Sequence, residues 1–188
     1  FVVNQLFKSY NTGIETGRDN FFVDFNSRSL SKKIENVFEN LNSPEIIERF
    51  KIKDGSGFKF KSSLSNSKFD SKLVKKILYR PFDSRYSYYD PSLQRRPGFE
   101  TMFHSMDKNN YGFLTCRRQT TFDFQHCFVT DSMSERCSVS LQTGELAYHF
   151  PLYLYSKSNG QQIIGQTEER TPNLNTEIVK QISEYLGL

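Results

Sequence analysis

The chain has 188 residues, 36% of them hydrophobic, with eighteen Phe, ten Tyr and no Trp, and its formal net charge is +4. That length fits one domain with a real core, and the aromatic content argues against disorder. No apolar run approaches a membrane span, and Cys116, Cys127 and Cys137 show neither an even count nor metal-ligand spacing, so a cytoplasmic protein with buried thiols is expected.

Residues 1–10 alternate loosely and read as a first strand, entered at Phe1 without an initiator Met, as expected of a piece cut from a longer polypeptide. A polar loop over 11–20 then leads to a second strand at 21–25. In this loop Gly13 and Gly17 permit positive φ and close approach of the backbone to a ligand, and Arg18 is presented beside them. Ser29 or Ser31 caps a helix running to about Asn40, with Leu30, Ile34, Val37, Phe38 and Leu41 on one face. Ser43-Pro44-Glu45 starts a short helix through Arg49. Residues 51–67, rich in Gly, Ser and Lys, read as a mobile loop with a short strand near 58–60, and 71–77 as a helical turn.

Residues 79–89 read Tyr-Arg-Pro-Phe-Asp-Ser-Arg-Tyr-Ser-Tyr-Tyr, with Arg80 and Arg85 set among five aromatic rings. From Arg85 on, alternation sends cations and aromatics to opposite faces of a strand. Pro81 lacks a backbone donor, so the strand lies at a sheet edge, is bulged, or begins after Phe82. Planar cations beside rings such as Tyr86 and Tyr88 suit a polyanion with stackable bases. They suit equally a buried tyrosine-rich strand whose arginines meet carboxylates such as Asp83 and Asp90.

Beyond it, Gln94-Arg95-Arg96-Pro97 is a basic corner leading to a helix over 98–106. Strands follow at 111–118, ending in Arg117-Arg118-Gln119, at 126–130, and within 146–155. A polar loop over 160–170 precedes a last helix, 176–186, capped by Asn173 or Asn175, with Ile178, Ile182, Tyr185 and Leu186 inward. The fold expected is α+β, a single domain in which helices pack on a mixed or antiparallel β-sheet.

Charge is uneven. Residues 75–118 carry nine Lys/Arg against four acids, a local +5, and such a concentration is the usual footprint of nucleic-acid binding. No phosphate-cradling glycine signature, nucleophile elbow or adenine-methyltransferase Asn-Pro-Pro-Tyr motif occurs. Asp70-Ser71-Lys72 matches only half of a Mg²⁺-nuclease pattern.

The pieces have a familiar order. Gly13-Ile14-Glu15-Thr16-Gly17-Arg18-Asp19 is followed by Tyr79-Arg80-Pro81-Phe82-Asp83-Ser84-Arg85-Tyr86 and by Arg96-Pro97 with Glu100 and His104. Arg117-Arg118-Gln119, Phe128-Val129-Thr130-Asp131, Phe150-Pro151-Leu152-Tyr153-Leu154 and Thr171-Pro172-Asn173-Leu174-Asn175 complete the set. Together they resemble the C-terminal specificity (target recognition) domain of single-polypeptide type ISP restriction–modification enzymes and their type IIG relatives. The resemblance spans nearly the whole chain.

It implies sequence-specific recognition of double-stranded DNA, with no catalytic residue and no cofactor in this chain. The parent polypeptide would supply a nuclease, an N6-adenine DNA methyltransferase domain and often a helicase-like ATPase, using S-adenosylmethionine, Mg²⁺ and ATP. It also implies a further helical segment past Leu188, so a truncated C-terminus is expected. On this reading Arg80, Arg85, Arg117, Arg118 and Gln119 contact base edges or phosphates, and Arg18, Arg95 and Arg96 contact phosphates. Strand alternation favours Arg117 and Gln119 for readout, with Arg118 on the opposite face. Two other readings stay open: a structural or coupling domain that packs on the methyltransferase, and a Mg²⁺-dependent nuclease fragment.

Overall fold

The computed structural model describes residues 3–118, 120, 127–142, 145–156 and 169–188. Its elements in chain order are α1 (Val3–Leu6), β1 (Asn11–Thr12), α2 (Asp19–Phe22), β2 (Val23–Asp24), α3 (Ser27–Glu39), α4 (Pro44–Phe50) and α5 (Phe60–Asn66). There follow β3 (Val74–Arg80), β4 (Asp83–Tyr88), α6 (Phe99–Met102), β5 (Gly112–Cys116), β6 (Cys127–Thr130), β7 (Met133–Ser134), β8 (Ala147–Pro151), β9 (Tyr153–Tyr155), β10 (Arg170–Pro172) and α7 (Thr176–Leu186). The α+β class holds, with the strands divided between two four-stranded sheets and a ribbon. One sheet runs β2-β4-β3-β7, the other β1-β8-β5-β6, and β9 pairs with β10. All pairings between these strands are antiparallel except β3 with β7, where Ile77 faces Met133 and Leu78 faces Ser134.

Strand β3 is central because both of its faces are apolar. Ile77 points into the main core with Phe21, Phe22, Leu30, Ile34 and Phe60. Its neighbour Leu78 points the other way, into a small cluster with Leu114, Val139 and Ala147. Helix α3 covers the first sheet with Leu30, Ile34 and Val37, spaced one turn apart and buried. Its cap is Asn26, whose Oδ1 accepts from the amides of Arg28 at 2.9 Å and Ser29 at 3.0 Å, rather than either expected serine. Phe21 and Phe22 pack edge-on at 4.7 Å, and Phe21 meets Phe60 the same way at 5.5 Å.

Several local expectations are corrected. Residues 3–6 form a helical turn where a strand was expected, and 19–22 form another. Phe21 and Phe22 are both fully buried, which a helical turn against one core allows and a one-sided strand does not. The expected mobile loop over 51–67 carries α5, seated by Phe60 and Leu64. Helicity at 71–77 stops at Leu73, and β3 begins at Val74. Helix α6 spans one turn of the expected 98–106. Helix α7 buries no residue fully, and Tyr185 and Leu186, expected inward, are exposed. The start of the 126–130 strand and most of the 160–170 loop lie outside the described residues. Among the described residues no helix is long and apolar enough to cross a membrane.

Asn173 ties the chain's two ends to the second sheet. Fully buried, it donates to the carbonyls of Ser9 and Pro151, both at 2.7 Å, and accepts from the Ser9 amide at 2.8 Å. The cap of α7 is Asn175, which accepts from the Glu177 amide at 3.2 Å.

Candidate nucleic-acid interface

Of the three options that Pro81 left, the last is realised, with a bulge added. Strand β3 ends at Arg80, Pro81 and Phe82 make a two-residue turn, and β4 begins at Asp83, with a register shift between Leu78 and Arg80. Both strands are interior to their sheet, so the stretch forms a central hairpin and not a sheet edge. Its arginines are held by the fold. Arg80 Nη1 donates to Glu135 Oε2 at 2.7 Å and to the Tyr79 carbonyl at 2.6 Å, and Nη2 lies 3.6 Å from Asp19. Asp83 is met by Arg85. There Nε and Nη2 of Arg85 reach Asp83 Oδ2 at 3.0 and 2.7 Å, and this hydrogen-bonded pairing raises the Arg85 pKa. The Arg85 guanidinium also stacks 4.0 Å from the Phe25 ring and 4.2 Å from that of Tyr79.

The tyrosines follow suit. Tyr88 is fully buried, its hydroxyl accepting from the Asp70 amide at 3.2 Å, so it presents no surface to a ligand, and burial raises its pKa. Tyr86, on the core side of β4, packs against the main core. The Tyr79 hydroxyl donates to Asp19 at 2.6 Å, and burial followed by that hydrogen bond pushes its pKa up to about 12. Asp70, the possible nuclease carboxylate, caps the turn at 71–73 by accepting from the Lys72 amide. Among the described residues no three His, Cys, Asp or Glu side chains converge to hold a metal ion.

The loop arginines converge. Residues 15–20, 50, 51, 53, 55–58, 80, 95, 96 and 135–137 supply the walls of an open cleft of about 1120 Å³. Glu15 organises its rim. Its amide and carbonyl pair with the carbonyl and amide of Arg96 at 2.9 and 3.1 Å. Its carboxylate accepts from Arg95 Nη1 at 3.1 Å, bonds Arg136 Nη1, and lies 3.6 Å from Arg96 Nε. One acid thus faces three arginines, and the side chains of Arg95 and Arg96 remain 61% exposed. Across the cleft Arg18 lies 4.1 Å over the Phe60 ring and donates to the Lys53 carbonyl at 3.4 Å, with its pKa lowered by burial. The walls hold seven cations (Arg18, Lys51, Lys53, Arg80, Arg95, Arg96 and Arg136) against Glu15, Asp19 and Glu135, a net of +4. A surplus of cations in an open cleft favours a polyanion.

Three of these cations escaped notice in the sequence. Arg136 lies outside the basic 75–118 segment and arrives through the parallel pairing of β7 on β3, and Lys51 and Lys53 sat in a stretch taken for a mobile loop. Gly17 has φ of +70°, as its loop position required. Gly13 does approach backbone closely, but the backbone is the protein's own: a Cβ there would lie 2.5 Å from the Glu135 carbonyl carbon.

Arg117 and Arg118 form a second group. Strand β5 ends at Cys116, so strand alternation does not extend to them. Both are exposed, and both line one recess of about 400 Å³ with Leu146 and Tyr148. The recess joins the cleft through backbone: Ala147 pairs with Cys116, and its amide donates to the Arg136 carbonyl at 2.8 Å. Gln119 lies outside the described residues.

Solved structures of the same fold carry DNA. The ATP-dependent Type ISP restriction-modification enzyme LlaBIII bound to DNA matches over 94% of this chain and 12% of that chain, at 19% identity and a TM-score of 0.67. The DrdV–DNA complex matches over 96% and 17%, at 18% identity and 0.65. A nuclease-deletion mutant of the Type ISP restriction-modification enzyme LlaGI, in complex with a DNA substrate mimic, matches over 93% and 14%, at 17% identity and 0.64. At these identities the likeness is one of fold, and the chain spans less than a fifth of the length of each. No curated protein matches significantly. The family model of the Type ISP C-terminal specificity domain matches residues 5–187. With nearly every residue inside that match, the chain belongs to the Type ISP C-terminal specificity domain family.

Proposed function

We propose that this chain reads double-stranded DNA sequence for a restriction–modification enzyme, and that other domains of a longer polypeptide methylate and cut. The observation that carries the reading is the rim of the cleft. Arg95, Arg96 and Arg136 share the single carboxylate of Glu15, leaving exposed cationic charge on a rigid antiparallel bridge. Arg95 and Arg96, with Arg18 and Lys53 opposite, hold phosphates and set the register of the duplex. Arg117 and Arg118, in the adjoining recess, reach base edges, where an arginine meets guanine in a bidentate pair. Arg80, Arg85 and Tyr86 act behind this surface by keeping the hairpin rigid. S-adenosylmethionine, Mg²⁺ and ATP belong to the catalytic domains of that cytoplasmic enzyme, an adenine methyltransferase joined to a nuclease.

Selection from a random pool of duplexes tests the reading. The purified chain should enrich a defined sequence, and Arg117→Ala should relax the preference at one position while Arg96→Ala weakens every sequence alike. A pool that emerges unenriched would favour a domain that merely couples neighbours.

A further inference from the structure

Of the two aromatic residues in the Tyr-Arg-Pro-Phe-Asp-Ser-Arg stretch, the fold buries Tyr79 and leaves Phe82 exposed. Pro81 and Phe82 occupy the two turn positions between β3 and β4, and Phe82 has φ of +59°. Proline followed by a residue with positive φ is the pattern of a type II turn, whose second central position belongs by preference to Gly or Asn. A bulky ring in the left-handed region is an outlier, and such strain persists where a function holds it. The ring is not kept there to fill the core, because Phe82 is 90% exposed.

Its surroundings define its reach. The Phe128 ring braces it edge-on at 5.2 Å and 86°. Strand neighbours point to opposite faces, so the exposed Val129 turns away from that contact. At the turn tip the ring contact is Phe82 on Phe128, a small area beside the contiguous apolar surface that a protein interface needs. The base of the hairpin is rigid: Arg80 is locked to Glu135 and Arg85 to Asp83, so the nearest cations neither move nor compete for the ligand. Arg80 itself lines the cationic cleft two residues before Phe82.

We infer that Phe82 is a wedge that stacks on the bases of the duplex held in the cleft, a contact of an aromatic face that any base satisfies. The inference rests on the DNA reading above and adds a residue that unstacks DNA without selecting sequence. Apolar side chains presented on a rigid support act in this way when they enter a base step.

The test uses the purified 188-residue chain and a random-sequence duplex carrying the fluorescent base analogue aminopurine at scattered adenine positions. Binding should raise the emission as bases unstack. Phe82→Gly should lose the rise and bind about tenfold more weakly. It should melt no lower than the parent, since glycine accepts the positive φ without strain. Phe82→Trp should keep the rise. If the parent chain binds with strong salt dependence while Phe82→Gly binds and unstacks equally well, the wedge is wrong and the DNA reading survives. Binding without any rise, or a Phe82→Gly chain that melts well below the parent, would also overturn the wedge. No binding by the parent chain would remove both.

Discussion

Gly112 lies against the imidazole of His149 so closely that a Cβ at position 112 would overlap the ring. The ring is fully buried between Ser105 Oγ at 2.7 Å from Nε2 and Ser134 Oγ at 2.9 Å from Nδ1, so it joins β8 to the loop after α6 and to β7 of the other sheet. It cannot step aside without losing both hydrogen bonds. Gly112→Ala should therefore destabilise the fold by about 3 kcal/mol, near the upper end of ordinary overpacking, as read from denaturant melts.

The same histidine gives a pH signature. Burial pushes its pKa down to about 3, against about 6.5 in an unfolded chain. Between those values the unfolded state binds a proton that the folded state excludes, so stability is full above about pH 6.5 and falls as pH drops. Denaturant melts at about pH 7 and about pH 5 should differ by roughly 2 kcal/mol from this group. In His149→Gln that part of the difference should vanish, whatever the variant's overall stability.

Arg80 and Glu135 form another link between elements. Truncation to Arg80→Ala leaves the buried Glu135 carboxylate without its cation and should cost about 3 kcal/mol, seen as a lower melting temperature. Glu135→Gln removes the buried charge as well and should cost less. DNA affinity measured on the folded fraction should stay near that of the parent, which would separate Arg80 from the rim arginines.

Asn173 and Asn175 make a matched pair. Asn173→Ala breaks three hydrogen bonds of a fully buried side chain and should cost about 3 kcal/mol. Asn175→Ala removes one exposed cap and should cost about 1 kcal/mol. Thermal melts of the two variants in parallel check the ranking.

These examples mark how far the sequence was legible. Helices α3, α4 and α7 announced themselves by apolar spacing and a proline at a first turn. Helices α2 and α5 did not: α5 has only Phe60 and Leu64 to set its period, in a run of serines that favours no single state. Residue type exposed the loop arginines, and Arg18, Arg95 and Arg96 do meet at one cleft. It could not separate them from Arg80, because the partner that holds Arg80 inward, Glu135, lies 55 residues away and is brought there by strand pairing. Nor could alternation place Arg117 and Arg118, since the strand stops one residue before them.

Binding of duplex DNA as salt is raised tests the central claim most directly. The account predicts that log affinity falls steeply and linearly with log salt, and that Arg95→Ala and Arg96→Ala each reduce the slope by about one. A parent chain whose binding is flat across the salt series, or slopes unchanged in both variants, would contradict it.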